Sequence, residues 1–313
     1  MKRNLALGVD IGGTNSVFGL CDVYGKLYFE ESVSTTDYST PEELVDKIYE
    51  RIKSVGHLPN IEGIGIGAPN GNFYSGTIEF APNLKWKGII PLARLFEYKF
   101  KVKTILTNDA NAAAIGEMIY GAGRDLKDFV TITLGTGLGS GVISGGNLIY
   151  GHDGFAGEYG HIRVVPNGRL CGCGRKGCLE TYVSATGMVR SIHELDSKHS
   201  ETSELINLKN PEASQVFQLA EDGDEFAVEI IEYTAKVLGN SLADFTCFSS
   251  SKAYILFGGI AQNGPSFAKK VKGYMEDALL NIYKDKIEIR ISELHDKNAA
   301  VLGASSLVWN ELS

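Results

Sequence analysis

The chain has 313 residues, of which 43% are hydrophobic and 22% charged, as in an ordinary soluble globular protein. Its length exceeds what one hydrophobic core usually supports, so we expect two domains or lobes. The net charge of -8 without a basic patch argues against nucleic-acid or anionic-membrane partners. We find no signal peptide or membrane span, and the five cysteines fit a reducing compartment, so we expect a cytoplasmic protein.

The first third of the chain predicts strands alternating with helices. A helix is predicted from Pro41, with Thr40 as its cap. Short apolar runs predict strands at 5–10, 16–21, 27–33, 61–67 and 103–107. Hairpin strands followed by alternating helix and strand indicate a mixed sheet with helices packed on it.

The chain repeats this pattern from Phe129 onward. The segments 10–14 and 133–137 are both Gly-rich, and each lies between two apolar strands. Further elements are predicted as a long helix over 225–248, a strand over 253–257, a helix from Pro265, a strand over 286–291 and a closing helix over 298–309. Two related lobes, 1–122 with 299–313 and 123–298, would bring both Gly-rich turns to one cleft.

The two Gly-rich turns have the composition of phosphate-binding hairpins. Glycines let backbone N–H groups approach phosphate oxygens, and Asp10 can hold Mg²⁺ through water. One such turn is a weak signal, because Gly-Gly turns are common in hairpins. The second copy at Gly135-Thr136-Gly137 favours a pair of phosphate hairpins. Neither turn matches a Walker A loop or a dinucleotide-binding turn.

The segment Asn108-Asp109-Ala110-Asn111 follows a predicted strand and begins a helix. Asn and Asp are favoured helix caps, which is one interpretation of this segment. In the other, a carboxylate held at the strand end accepts a proton from a substrate hydroxyl. Both interpretations can hold for adjacent residues.

Residues 161–178 place His161, Cys171, Cys173 and Cys178 close together along the chain. Such donors suit a tetrahedral zinc ion, and four protein ligands leave no position for an activated water, which indicates structural zinc. Incidental thiols or a disulfide are the alternative. Glu158 and Glu180 flank the cluster, either as surface residues or as carboxylates that hydrogen-bond the vicinal hydroxyls of a sugar.

Taken in this order, the motifs resemble those of the ROK family (repressor, open reading frame, kinase) of bacterial sugar kinases. The resemblance extends from Val9 to Gly303 and includes the cysteine cluster and the segment 257–259. It implies an α/β protein with an actin-like, hexokinase-type ATPase fold, in which two lobes enclose ATP and sugar. A homodimer is also implied. Asn70 departs from the glycine that family members often carry there.

The resemblance assigns roles to individual residues. Asp109 would be the catalytic base that takes the proton from the sugar 6-hydroxyl. The sugar would be held by Asn83, Asn108, Asp109, Glu158, His161 and Glu180. Mg²⁺ and the ATP phosphates would be surrounded by Asp10, Gly12, Gly13, Thr14, Asn15, Thr136 and Gly137, with Gly258 and Gly259 near the adenosine.

The expected activity is ATP-dependent phosphorylation of a hexose at its 6-hydroxyl, with glucose the foremost substrate. N-acetylmannosamine, N-acetylglucosamine, fructose and allose are alternatives, because loop shape decides specificity. Repressors of this family carry an N-terminal helix-turn-helix. With the first strand predicted from Leu5, we expect none here.

Overall fold

The computed structural model of the chain describes residues 4–195, 198–199, 202–263, 265–294 and 299–312. Contacts divide the chain into two units. The first comprises Met1–Asp125, Gly146–Gly157 and Glu293–Ser313, and the second comprises Leu126–Gly145 and Glu158–Ser292. The lobe boundaries expected from the sequence differ from these and stay a prediction.

The strands and helices predicted from the sequence occur in the described residues in the predicted order, and the short strands between 71 and 90 and the helices at 92–100, 180–183 and 185–194 are additional. The strands are β1 (Leu5–Ile11), β2 (Asn15–Cys21), β3 (Leu27–Ser34), β4 (Ile61–Gly67), β5 (Gly71–Asn72), β6 (Thr77–Glu79), β7 (Ile89–Ile90), β8 (Thr104–Thr107), β9 (Phe129–Leu134), β10 (Leu138–Ser144), β11 (Asn147–Leu148), β12 (Ala253–Phe257) and β13 (Glu288–Ile291). The helices are α1 (Pro41–Ser54), α2 (Leu92–Phe100), α3 (Asp109–Ile119), α4 (Glu180–Val183), α5 (Ala185–Glu194), α6 (Ala213–Glu221), α7 (Glu225–Ser249), α8 (Gly259–Gln262), α9 (Pro265–Ala278) and α10 (Ala299–Leu312). Asn298, the predicted start of the closing helix, lies outside the described residues.

The main sheets of the two units share a topology. In the first unit, β1 pairs antiparallel with β2 and parallel with β4, which is parallel to β8. In the second, β9 pairs antiparallel with β10 and parallel with β12, which is parallel to β13. The internal repeat predicted from the Gly-rich turns is thereby confirmed in strand order.

The closing helix α10 packs directly on the first sheet. A Cβ atom at Gly8 of β1 would overlap the backbone of Val301, and one at Gly65 of β4 would overlap that of Ala304. Glycine is needed at these two positions because the helix backbone approaches the strands too closely for a side chain. The C-terminal segment is therefore part of the first unit.

The segment 146–157 is attached to the first unit, whereas the sequence placed it in the second lobe. The Asn72 side-chain amide donates a hydrogen bond to the Asp153 carbonyl oxygen at 2.8 Å, and the Tyr74 hydroxyl donates to the Gly151 carbonyl at 2.8 Å. The ring of Tyr150 stacks on Phe73 with centroids 3.9 Å apart. These contacts join residues distant in sequence, so local patterns could not reveal them.

In the second unit, the long helix α7 forms much of the hydrophobic core. Asp224 caps it by accepting a hydrogen bond from the Ala227 amide at 2.9 Å. Its side chains at Ile230, Leu238 and Leu242 are fully buried. None of the helices in the described part of the chain has the length and hydropathy required to cross a membrane.

Candidate active site

Two carboxylates lie together at the carboxyl ends of parallel strands in the first unit. Asp10 is near the end of β1, and Asp109 follows β8 as the first residue of α3. Gly67, at the end of β4, lies beside both: a Cβ atom there would be 3.4 Å from Asp10 Oδ1 and 3.5 Å from the Asp109 Cα. The ends of β1, β4 and β8 therefore hold these two carboxylates close together.

The surroundings of the pair disfavour negative charge. Burial, followed by the charge of Asp109, raises the pKa of Asp10 to about 7. Burial also raises the pKa of Asp109, although a hydrogen bond from the Ala110 amide to Oδ1 at 2.8 Å opposes this. Asp109 nevertheless keeps surface exposed to solvent. A reachable carboxylate with a raised pKa has the properties of a general base.

Asn108 caps helix α3. Its side-chain oxygen accepts a hydrogen bond from the Asn111 amide at 2.7 Å. The interpretation of Asn108 as a helix cap is therefore confirmed. The capping hydrogen bond involves only the oxygen of the side-chain amide. The amide NH₂ has no partner among the described residues and can donate to a ligand hydroxyl.

The first Gly-rich turn packs against Asn83. The Gly12 amide donates to the Asn15 carbonyl oxygen at 3.0 Å, which closes the turn between β1 and β2. A Cβ atom at Gly13 would lie 2.7 Å from the Asn83 carbonyl oxygen and 3.4 Å from its Nδ2. Gly13, predicted to bind phosphate, thus lies next to Asn83, predicted to bind sugar. Thr14 and Asn15 follow Gly13 in the chain.

The second Gly-rich turn lies beside Glu180 and Gly258. A Cβ atom at Gly137 would be 2.8 Å from Glu180 Oε2, and one at Gly258 would be 2.6 Å from the Leu134 carbonyl oxygen. Gly258 has a φ of +102°, which glycine adopts readily. Thr136 is exposed at the tip of the turn, and Gly259 has no neighbour that a Cβ would contact. In the second unit, the residues predicted to bind phosphate therefore lie close to those predicted to bind adenosine.

His161, Cys171, Cys173 and Cys178 form one cluster, with all four ligand atoms within 4.8 Å of one another. The sulfurs of Cys173 and Cys178 are 3.7 Å apart, and Cys171 Sγ is 3.6 Å from His161 Nδ1. Around a tetrahedral zinc ion, bonds of about 2.3 Å to sulfur and about 2.0 Å to nitrogen put two sulfurs about 3.8 Å apart and a sulfur and a nitrogen about 3.5 Å apart. The cluster therefore fits zinc, with Nδ1 as the ligand atom of the imidazole.

Arg175 supports this cluster and was not singled out from the sequence. Its guanidinium donates to the His161 carbonyl oxygen at 2.8 Å. Burial alone would raise the pKa of Cys173, but hydrogen bonds from Arg175 and the neighbouring cysteines lower it to about 6. An arginine within a cysteine-rich loop is the sequence signal that could have identified this residue. A nearby positive charge favours the thiolate, which is the form of cysteine that binds metal.

The two glutamates predicted for sugar binding lie on opposite sides of the His161 ring. Glu158 Oε2 is 4.0 Å from Nε2, and Glu180 Oε1 is 3.6 Å from Nδ1. Glu180 Oε1 also accepts a hydrogen bond from the Cys171 thiol at 2.9 Å. Nδ1 of His161 therefore faces Cys171 and Glu180, and Nε2 lies on the side of Glu158.

Asn70 takes up a backbone conformation suited to glycine. Its φ is +51°, in the left-handed region that asparagine tolerates better than most residues. The side-chain amide donates to the Glu79 carbonyl oxygen at 2.9 Å. Asn70 therefore adopts a backbone conformation that glycine also adopts readily.

The family model described as ROK family matches residues 6–311. The chain belongs to the ROK family. It is 34% identical to the glucokinase of Halalkalibacterium halodurans, over 98% of this chain and 96% of that protein. Against the xylose repressor of Caldicellulosiruptor bescii the identity is 29%, over 98% of this chain but 78% of the repressor.

A solved ROK structure has the same fold. The ROK family glucokinase of Streptomyces griseus, in complex with glucose and AMPPNP, superposes with a TM-score of 0.80 at 33% identity, covering 97% of this chain and 99% of that one. The predicted α/β, hexokinase-type fold is confirmed by this likeness.

Proposed function

We propose that the protein is a glucokinase, which transfers the γ-phosphoryl group of Mg-ATP to the 6-hydroxyl of glucose. The observation that carries the proposal is the Asp109 carboxylate: it is exposed, has a raised pKa and lies beside Asp10 at the strand ends of a ROK chain. Glucokinases of this family at 34% identity, and one solved with glucose and AMPPNP, support the substrates.

In this proposal Asp109 accepts the proton of the 6-hydroxyl as that oxygen attacks the γ-phosphorus. Phosphoryl transfer mainly requires positioning and neutralisation of charge. Asp10 would hold Mg²⁺ through water, and the cation would in turn favour the ionised form of this carboxyl. The backbone amides of the two Gly-rich turns would receive the phosphate oxygens.

The sugar would be bound by the polar side chains that the family resemblance assigns to it. Asn83 and the free amide of Asn108 can donate to hydroxyls, whereas Glu158 and Glu180 can accept from them. The zinc cluster would fix the orientation of His161, because an imidazole bound through Nδ1 presents its Nε2–H as a donor. Zinc would supply no chemistry to the transfer itself, since all four of its positions are occupied by protein ligands.

We infer further that the enzyme acts in the cytoplasm as a homodimer, without nucleic-acid or membrane partners. The net charge of -8 supports the absence of polyanionic partners. All five cysteines are free, which fits a reducing compartment. The dimer rests on the family resemblance alone.

A coupled assay of ADP release across a panel of hexoses tests the proposal. Glucose, N-acetylmannosamine, N-acetylglucosamine, fructose and allose should each be offered with ATP, and glucose also with polyphosphate. We expect glucose with ATP to give the highest kcat/KM. If no sugar stimulates ADP release, the kinase assignment is wrong. If another hexose is preferred over glucose, the kinase assignment holds and only the assignment of glucose as substrate is wrong.

A further inference from the structure

A cavity in the second unit opens beside the base of the zinc hairpin, the segment 170–176 that carries Cys171 and Cys173. Leu170 and Lys176 pair as an antiparallel bridge at this base. The cavity has a volume of about 500 Å³, and none of the residues assigned above to sugar, nucleotide or zinc lines it. This volume is in the range that holds a small molecule.

Arg169 forms a fixed basic wall of the cavity. Its side chain is 6% exposed, and Nε donates to Glu194 Oε2 at 2.6 Å. Nη1 donates to the carbonyl oxygens of Thr181 and Gly187, and Nη2 donates to the Ser191 hydroxyl at 3.0 Å. Because each nitrogen is engaged, Arg169 contributes charge and rigidity rather than free donors.

Two other cations keep donors available. Lys176 is exposed, and its ammonium group has no partner among the described residues. Arg190 donates through Nη1 to the Leu170 carbonyl oxygen at 3.0 Å, and its Nε and Nη2 donate to Glu194 Oε1 at 3.4 Å and 3.3 Å, which uses three N–H groups. A guanidinium has five N–H groups, so some of those of Arg190 remain for a ligand.

The charges of the lining side chains do not balance. Burial opposes the ionisation of Glu194, but hydrogen bonds from Arg169 and the charge of Arg190 lower its pKa, so it is ionised at neutral pH. Three cations, at Arg169, Lys176 and Arg190, then face one carboxylate, which leaves two positive charges in excess. A phosphate monoester carries roughly 1.5 to 2 negative charges at pH 7 and complements this excess.

We propose that this cavity binds a small phosphate monoester. Its phosphate would lie on Lys176 and Arg190, since a guanidinium fork and an ammonium are the usual protein ligands of phosphate. Its carbon skeleton would pack against Leu195 and Tyr233, two of the apolar and aromatic residues that line the cavity. A cavity of about 500 Å³ suits a metabolite better than a peptide, which would need a longer groove.

A ligand in this cavity would act on the zinc hairpin. It would join Lys176, two residues before Cys178, to Arg190, which already holds the backbone next to Cys171. The base of the hairpin would thereby be tied to helix α5. The inference does not depend on the proposed kinase reaction, because binding can be measured without turnover.

Isothermal titration calorimetry with ribose 5-phosphate and with inorganic phosphate tests the proposal. We expect saturable binding of ribose 5-phosphate to the full chain, weakened about fivefold or more by Lys176→Gln and about threefold by Arg190→Lys. Lys272→Gln, the same charge change at an exposed lysine that does not line the cavity, should bind as the parent protein does.

Two results would overturn the proposal. The first is that ribose 5-phosphate does not bind, or that it binds equally to the parent, Lys176→Gln and Arg190→Lys proteins. Equal binding would show that the phosphate is held elsewhere on the chain. The second is inorganic phosphate binding as tightly as ribose 5-phosphate, which would show that no carbon skeleton is recognised. Thermal unfolding of each variant should establish that it is folded.

Discussion

Asp109 is the residue on which the proposed chemistry most depends. Asp109→Asn keeps the size of the side chain at the start of α3 but cannot accept a proton. We expect kcat to fall about 10²- to 10⁴-fold, with glucose affinity changed only a few fold. Steady-state kinetics and calorimetric titration with glucose provide the two measurements. Retained turnover in Asp109→Asn would show that another group is the base. Glu62→Gln, which makes the same change at an exposed carboxylate on β4, is the matched control and should keep the kcat of the parent protein.

Asp10 should make the stability of the ligand-free protein depend on pH. Its pKa is about 7 in the folded state against 3.8 ordinarily, so the folded chain binds more protons between these values. The free energy of unfolding should therefore fall as pH rises from about 4 to about 7, by an amount on the order of 2 kcal/mol after allowance for solvent screening. Asp10→Asn should reduce this decline and leave the part that the raised pKa of Asp109 contributes.

Urea-unfolding midpoints at several pH values, for the parent protein, Asp10→Asn and the charge-matched Glu62→Gln, would measure the effect. Parallel curves for the parent and Asp10→Asn would contradict it. Added Mg-ATP should reduce the decline in the parent protein, because a bound cation favours the carboxylate.

The zinc hairpin is the element whose role can be tested most cleanly. Cys173→Ala should lower the bound zinc from about one ion per chain to nearly none, because three ligands hold the metal far less tightly than four. The glucose KM should rise about tenfold or more, since zinc orients His161, while the KM for ATP should change less than about twofold. Metal analysis and kinetics on the same preparation provide the measurements.

Cys247→Ala, which removes an exposed cysteine outside the cluster, is the control for that substitution. Loss of zinc with an unchanged glucose KM would show that the sugar site does not need the hairpin. Loss of zinc with an equal rise in both KM values would indicate general destabilisation instead.

Elements of the site differ in how far the sequence predicts them. The cluster of His161 with three cysteines and the two Gly-rich turns could be predicted, because their residues lie within short segments. Gly67 could not, because its importance comes from the close approach of Asp10 and Asp109 across separate strands. The same holds for the contact between Gly137 and Glu180, which joins a hairpin to a helix far along the chain.

At the scale of the whole molecule, duplication explains why two similar sheets occur in one chain. Each has a hairpin followed by two parallel strands, so each ends its first strand in a Gly-rich turn. The hydrophobic pattern predicted this order, because strand formation follows from local alternation and turn residues. Family membership then supplies the hexokinase-type fold for both units.

The sequence by itself predicted the order of the main strands and helices, the cluster of His161 with three cysteines, the repeat and the family, since each depends on residue types at short spacing. Only the tertiary structure decided that residues 146–157 pack with the first unit, because hydrogen bonds between distant segments hold them there. It also decided the raised pKa of Asp10 and the excess charge around Arg169, because both depend on burial and on which charged groups become neighbours.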